Sequence, residues 1–233
     1  MIPFRDNIPS RSFPIITVLL IAANIVAFLY EVALGRYLEP FLRQYGVVPA
    51  AVLAWPQSDV PVSVVAVPFI TSMFLHGGWL HLIGNMWYLW IFGDNVEDRL
   101  GHFTYLVFYL VCGIGAGIVH TILNYYTSVP SIGASGAIAG VLGAYFLSYP
   151  RARVLTLIPI FIFVQVIEIP ALIVLGFWFV MQFLSGAASL SAANANAGGV
   201  AWWAHVGGFV IGMILVGLFP RRDRPRYEYS WRS

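Results

Sequence analysis

Apolar runs long enough to cross a membrane constrain this chain more than any other feature. Several of them approach or exceed the roughly 20 residues that an α-helix needs to span ~30 Å of hydrocarbon. Of the 233 residues, 60% are hydrophobic and 9% are charged, whereas an average soluble domain has about 25% charged residues. We therefore predict an integral membrane protein held in a lipid bilayer. A net charge of +2 is too small to indicate a nucleic-acid partner.

Six apolar segments predict an all-α, polytopic bundle of six transmembrane helices in one compact domain, residues 13–219. The predicted spans are 13–34, 79–96, 102–123, 135–150, 170–184 and 200–219. The proline-rich connection 35–76 is expected to be a loop that lies partly in the bilayer. Four further segments are expected outside the spans: an interfacial or irregular piece at 154–169, a flexible loop at 185–199, and two short cytoplasmic tails at 1–12 and 220–233.

The arginines predict the orientation of the bundle, because all twelve basic residues are arginines. With both termini cytoplasmic, ten of them face the inner side, and only Arg36 and Arg43 face outward. This distribution obeys the positive-inside rule. The first apolar run is too long for the hydrophobic region of a cleaved signal peptide and is expected to be an anchor. We expect a multi-pass protein of the cell membrane, in the inner or plasma membrane of a prokaryote.

Counting residues from the inner membrane surface places four polar side chains at similar depths. Ser135 and His205 each lie 16 residues before an arginine at the inner end of their span. At about 1.5 Å per residue, both lie ~24 Å above the inner surface. His81 and Asn85 flank this height on one face of the second span. Polar residues are costly within the membrane, so this cluster is a candidate functional site.

The chemistry of these residue types indicates nucleophilic catalysis. A serine hydroxyl is a weak nucleophile until a base accepts its proton, and His205 can be that base near neutral pH. Ser135 begins its helix, where unpaired N–H groups favour a developing anion. Asn85, His81 and the Ser135 N–H are the available donors for an oxyanion hole. No acidic residue lies at this depth, so we expect a Ser135–His205 dyad without a third member.

Small residues predict that spans four and six pack closely around this site. Glycine and alanine let helix backbones approach each other in lipid. The residues expected at this contact are Gly133, Gly136, Ala139 and Gly140 on or just before span four, and Gly208 and Gly212 on span six.

With these motifs the chain resembles the rhomboid family of intramembrane serine proteases. The matching motifs are G-x-S-G at 133–136, A-H-x-x-G-x-x-x-G at 204–212, H-x-x-x-N at 81–85, and G-D-N-V-E-D-R-L-G at 93–101. The resemblance to the family covers about residues 67–219, and all four motifs lie in this range. It implies Ser135 as nucleophile, His205 as general base, and an oxyanion hole formed by His81, Asn85 and the Ser135 N–H.

The resemblance also implies the substrates and the route by which they enter. The substrates would be single-span membrane proteins, cut near the outer end of the span, with span five and the following loop as the gate. Some members of the family carry a tyrosine that stacks on the histidine one turn after the serine. Here that position is Ala139, so another group must orient His205.

Alternative interpretations remain at this point. Ser135 can serve as a helix cap, and His205 can serve as a hydrogen-bonding residue between helices. The chain as a whole could be a catalytically silent, client-binding relative, or a small-molecule transporter, although a transporter would favour inverted repeats. The histidines do not have the spacing of a metal site, so we predict neither a metal nor another cofactor.

Overall fold

The computed structural model describes residues 2–160, 163–190 and 200–219, most of them in helices. Elements are numbered along the chain. They are β1 (Ile2–Asp6), α1 (Ile15–Ala33), α2 (Leu38–Tyr45), α3 (Pro49–Ala54), α4 (Ser63–Ala66), α5 (Pro68–Thr71), α6 (Trp79–Leu100), α7 (His102–Leu123), α8 (Ser135–Ser148), β2 (Arg153–Ile160), β3 (Phe163–Pro170), α9 (Ala171–Ser189) and α10 (Trp202–Gly217). The connection 35–76 therefore contains several short helices, and residues 191–199 of the predicted loop and the tail 220–233 lie outside the described residues.

Each of the six predicted spans corresponds to one helix: α1, α6, α7, α8, α9 and α10. Within the described residues, α1, α7 and α9 are each long and apolar enough to cross a membrane. The segment 63–74 and α6 meet the same criterion together, with a bend of 79° between them. Helices α8 and α10 are shorter, at 14 and 16 residues. The protein is a helical membrane protein, and the six-span topology with cytoplasmic termini remains a prediction.

The prediction of an all-α chain is wrong at two places. Residues 2–6, expected to be a tail, and most of the stretch 154–169 form a three-stranded antiparallel sheet in the order β1–β2–β3. Strands β2 and β3 are paired along their whole length: Arg153 lies opposite Pro170 at one end, and Ile160 lies opposite Phe163 at the other. An apolar run does not distinguish strand from helix by its periodicity, but its many β-branched residues favour strands and its prolines disfavour a helix.

Two carboxylates at the end of α6 hold the N-terminal segment in place. Asp98 accepts hydrogen bonds from the backbone N–H and the hydroxyl of Ser12. Glu97, buried, accepts from the backbone N–H groups of Ile16 and Thr17, each at 2.8 Å. These N–H groups belong to the first turn of α1, where no intrahelical partner exists and a negative charge is favourable. The start of α1 is therefore fixed to the end of α6.

Helix α8 lies at the centre of the bundle, between α6, α7 and α10. Ten consecutive residues, 136–145, are buried, which is expected of a helix that is apolar on all sides. Its glycines make this position possible. A Cβ on Gly140 would lie 2.5 Å from the Cβ of Cys112 on α7.

The contact between α8 and α10 is made backbone to backbone. A Cβ on Gly208 would overlap the carbonyl oxygen of Gly136, and a Cβ on Gly212 would overlap that of Gly140. Because both members of these pairs advance by four residues, the two helices run in the same direction. Their N-terminal ends, which carry Ser135 and His205, therefore lie side by side.

Candidate active site

Ser135 and His205 are in direct contact at the N-terminal ends of α8 and α10. The Nε2 atom of His205 lies 2.8 Å from the Oγ atom of Ser135. The two residues are 70 positions apart in the sequence, and they meet because the glycine contacts bring their helices together. The histidine is 8% exposed, so bulk water does not compete strongly for this hydrogen bond.

The backbone around Ser135 offers unpaired donors. Ser135 is the first residue of α8, so its N–H has no partner inside the helix and lies at the positive end of the helix dipole. Gly133, just before it, has φ +126°, which side-chain-bearing residues rarely adopt. A Cβ there would lie 2.8 Å from the His81 ring. Glycine thus allows the chain to pass close to His81 and enter the helix at Ser135.

The side chains of His81 and Asn85 lie on α6 with donors available. The Nδ1 atom of His81 accepts a hydrogen bond from the Gly77 N–H at 3.3 Å. In a neutral ring the proton is then on Nε2, which is free to donate. Asn85 is 8% exposed, and its Nδ2 has no hydrogen-bond partner within the described part of the chain. A buried unpaired donor costs free energy, and it suits an acceptor that forms only during a reaction.

Glu31 on α1 supports the turn that precedes α6, and sequence reasoning did not single it out. It is 1% exposed, and its two carboxylate oxygens accept from the His76 N–H at 3.1 and 3.2 Å. The next N–H along the chain, that of Gly77, is the one that binds His81. Glu31 therefore fixes the backbone that orients the His81 ring.

Gln182 on α9 is a second residue that sequence reasoning missed. Its Oε1 atom lies 2.7 Å from Nδ1 of His205. An acid or a tyrosine is the partner that sequence patterns lead one to expect beside such a histidine. At the position of that tyrosine, Ala139 is fully buried and packs against α10 at Gly208. The available signal was a single amide within an apolar helix, four residues after Trp178.

Two cavities lie beside the site. One of about 740 Å³ is lined by His81, His120 and Trp202, together with loop residues. A second, of about 30 Å³, reaches Ser135 and is large enough for one water molecule. Ser131 and Ala201 line both cavities. The two cavities are therefore adjacent.

Comparisons with known proteins find one matching family model and several relatives. The family model described as the Rhomboid domain matches residues 65–222. One relative is "Rhomboid-like protein 11, chloroplastic" of Arabidopsis thaliana, to which the chain is 31% identical. The alignment covers 66% of this chain and 52% of the relative. Another is "Presenilin-associated rhomboid-like protein, mitochondrial" of Bos taurus, to which the chain is 33% identical. This alignment covers 46% of this chain and 29% of the relative. The chain thus spans about half of the first relative and less of the second.

Proposed function

Because the chain belongs to the rhomboid family, we propose that it is an intramembrane serine endopeptidase. Its substrates are single-span membrane proteins, which it cuts near the outer ends of their transmembrane segments. The observation that carries this proposal is the 2.8 Å contact between His205 Nε2 and Ser135 Oγ. A paired base is what converts a serine hydroxyl into a nucleophile.

The proposed reaction uses this pair in two steps. His205 Nε2 accepts the hydroxyl proton while Ser135 Oγ attacks the scissile carbonyl carbon, and the proton then passes to the leaving amine. A water molecule, deprotonated by the same nitrogen, hydrolyses the acyl-enzyme. In both steps a negative charge develops on the carbonyl oxygen. The Ser135 N–H, Asn85 Nδ2 and His81 Nε2 are the donors proposed to stabilise this charge.

The test is covalent labelling and cleavage in detergent. We expect a fluorophosphonate probe to label the wild-type protein and to fail with Ser135→Ala. Both Ser135→Ala and His205→Ala should abolish cleavage of a test substrate with one transmembrane segment. Ser148→Ala is the matched control, because Ser148 lies at the far end of the same helix and its hydroxyl binds only the Ala144 carbonyl within the described residues.

Two results contradict the proposal. Near-normal turnover in Ser135→Ala or His205→Ala would end the dyad assignment. Binding of membrane clients without cleavage or labelling of the wild type would identify a catalytically silent client-binding protein.

The proposed topology has six spans with both termini in the cytoplasm, which places the Ser135–His205 pair below the outer surface of a prokaryotic plasma membrane. The arginine distribution supports this orientation. The names of the relatives above place those proteins in chloroplasts and mitochondria, so the membrane itself must be tested by fractionation. Reporter fusions at both termini and in the loop 35–76 test the orientation. A terminus found outside would overturn it.

A further inference from the structure

We propose that Gln182 is a positioning residue that holds His205 in the tautomer and orientation needed to accept the Ser135 proton. This inference rests on the proposed function, since it assigns the third group beside the Ser135–His205 pair. The sequence predicted a dyad with no third member. The structure places an uncharged amide where a triad would have a carboxylate.

The two ring nitrogens of His205 have different partners, and this difference decides the tautomer. Nδ1 lies 2.7 Å from Gln182 Oε1, and Nε2 lies 2.8 Å from Ser135 Oγ. An amide oxygen only accepts hydrogen bonds, so Nδ1 must carry the proton. In a neutral ring Nε2 then has a free lone pair directed at the serine hydroxyl. A general base requires this arrangement.

The face of α9 that carries Gln182 is built to approach α10. Trp178, Gln182 and Gly186 recur every four residues and so share one face. A Cβ on Gly186 would lie 3.1 Å from the Trp203 ring on α10. The Trp178 ring lies 5.8 Å from that of His205, at an angle of 32°. Gly186 thus permits close approach on one side of Gln182, and Trp178 supports the His205 ring on the other.

An uncharged acceptor fits the surroundings of His205. Within the described residues, the titratable side chains that act on it electrostatically are His81 and His120. Gln182 itself is only 8% exposed. A carboxylate at this depth would be costly in the membrane, whereas an amide fixes the ring without a net charge.

The test compares Gln182→Met, which keeps the size but removes the acceptor, with Gln182→Glu, which keeps the acceptor and adds charge. Gln182→Met should lower kcat and the rate of fluorophosphonate labelling at least about tenfold, because a misplacement of ~1 Å can cost ~10²-fold. KM should change little. Gln182→Glu should retain activity at high pH, with its acid limb moved to higher pH, because a carboxylate stabilises the protonated ring.

The control is Met181→Leu, since Met181 is the adjacent residue of α9 and is exposed. It should behave as wild type. A role for Gln182 in packing alone predicts the reverse order, with Met tolerated and Glu harmful. Wild-type rates in Gln182→Met, or an unshifted acid limb in Gln182→Glu, would overturn the inference.

A spectroscopic measurement keeps this inference separate from the proposed function. The ¹⁵N shifts of the His205 ring report its tautomer without any catalysis. We expect the Nδ1–H form in the wild type and its loss in Gln182→Met, with folding checked by thermal unfolding. An Nε2–H form in the wild type overturns the role of Gln182. Absence of Ser135-dependent labelling, in contrast, contradicts only the proposed function.

Discussion

At the scale of single residues, two asparagines in the bundle differ in whether their amide donors are paired. Asn24 on α1 is fully buried, and its Nδ2 donates to the Leu20 carbonyl at 2.7 Å. Asn85 Nδ2 is equally hidden from solvent but has no partner among the described residues. A paired donor stabilises the fold, while an unpaired one costs free energy. The cost at Asn85 is consistent with a donor reserved for a transition state.

We therefore predict that Asn85→Ala lowers kcat by about 10²–10³, the usual loss for one oxyanion donor. KM should change little, because the donor acts on a charge that is absent from the bound substrate. The unfolding temperature should not fall in proportion, since Asn85 Nδ2 has no hydrogen-bond partner to lose among the described residues. Asn24→Ala is the matched control and should show the opposite result, with lower stability and retained kcat. A loss in turnover below about threefold would make Asn85 structural.

At the scale of elements, the pair α8 and α10 determines whether the site exists. Lipid supplies little hydrophobic drive between helices, so close packing of small residues takes its place. At Gly208 and Gly212 the neighbouring atoms are backbone carbonyls of α8. Backbone atoms cannot move aside as the end of a flexible side chain can. Any added carbon must therefore displace the helix that carries His205.

We predict that Gly208→Val reduces activity more steeply than stability, with Gly208→Ala as the milder step. Overpacking commonly costs ~1–3 kcal/mol, which a six-helix bundle can tolerate in a looser form. A shift of ~1 Å between Ser135 and His205 can cost ~10²-fold in rate. Thermal unfolding in detergent and a cleavage assay measure the two effects side by side.

Gly217→Val is the control for this comparison, because nothing lies within 4 Å of a Cβ at Gly217, near the end of the same helix. It should leave activity and stability close to wild type. Full activity in Gly208→Val would show that α8 and α10 do not touch at this point, and it would contradict the placement of the dyad.

At the scale of the whole molecule, the N-terminal strand joins the sheet to the helical bundle. Asp6 at the end of β1 accepts hydrogen bonds from the Tyr145 hydroxyl of α8 and from Asn95 Nδ2 of α6. Desolvation by burial raises the pKa of Asp6 from its ordinary 3.8 to about 7. The N-terminal strand β1 therefore carries a group whose ionisation opposes folding.

The consequence is a pH dependence of stability with a defined sign. Because the folded pKa of Asp6 is the higher one, the folded state holds a proton that the unfolded state releases between about pH 4 and pH 7. Its contribution to stability is present at low pH and is lost as the pH rises through this window. We predict that Asp6→Asn flattens the fall in unfolding temperature between these limits, relative to wild type.

Asp59→Asn is the control for this measurement, since Asp59 is exposed in the connection 35–76. Its profile should parallel that of the wild type. If the unfolding temperature of Asp6→Asn also follows that of the wild type across this pH range, Asp6 does not link the N-terminus to stability.

Local patterns were sufficient to predict the helices and the principal pair. Long apolar runs require helices in lipid, because every backbone group must be paired. The regular rise of a helix then converts residue counts into depth, which is how Ser135 and His205 could be matched before their contact was known. In the stretch of β2 and β3, β-branched residues favour strands, but local pattern could not predict the pairing of β2 with the distant residues 2–6.

Only the tertiary structure revealed Gln182 and Glu31 as parts of the site. Each belongs to a largely apolar helix, and each binds a group outside that helix: Gln182 contacts His205, and Glu31 contacts the turn before His81. The partner of such a side chain depends on how helices are rotated and how closely their glycines let them approach. Neither the rotation of a helix nor its distance from a neighbour can be read from hydropathy and residue spacing along that helix. The motif around Ser135 is thus local in the chain, whereas the orientation of His205 depends on the packing of three helices.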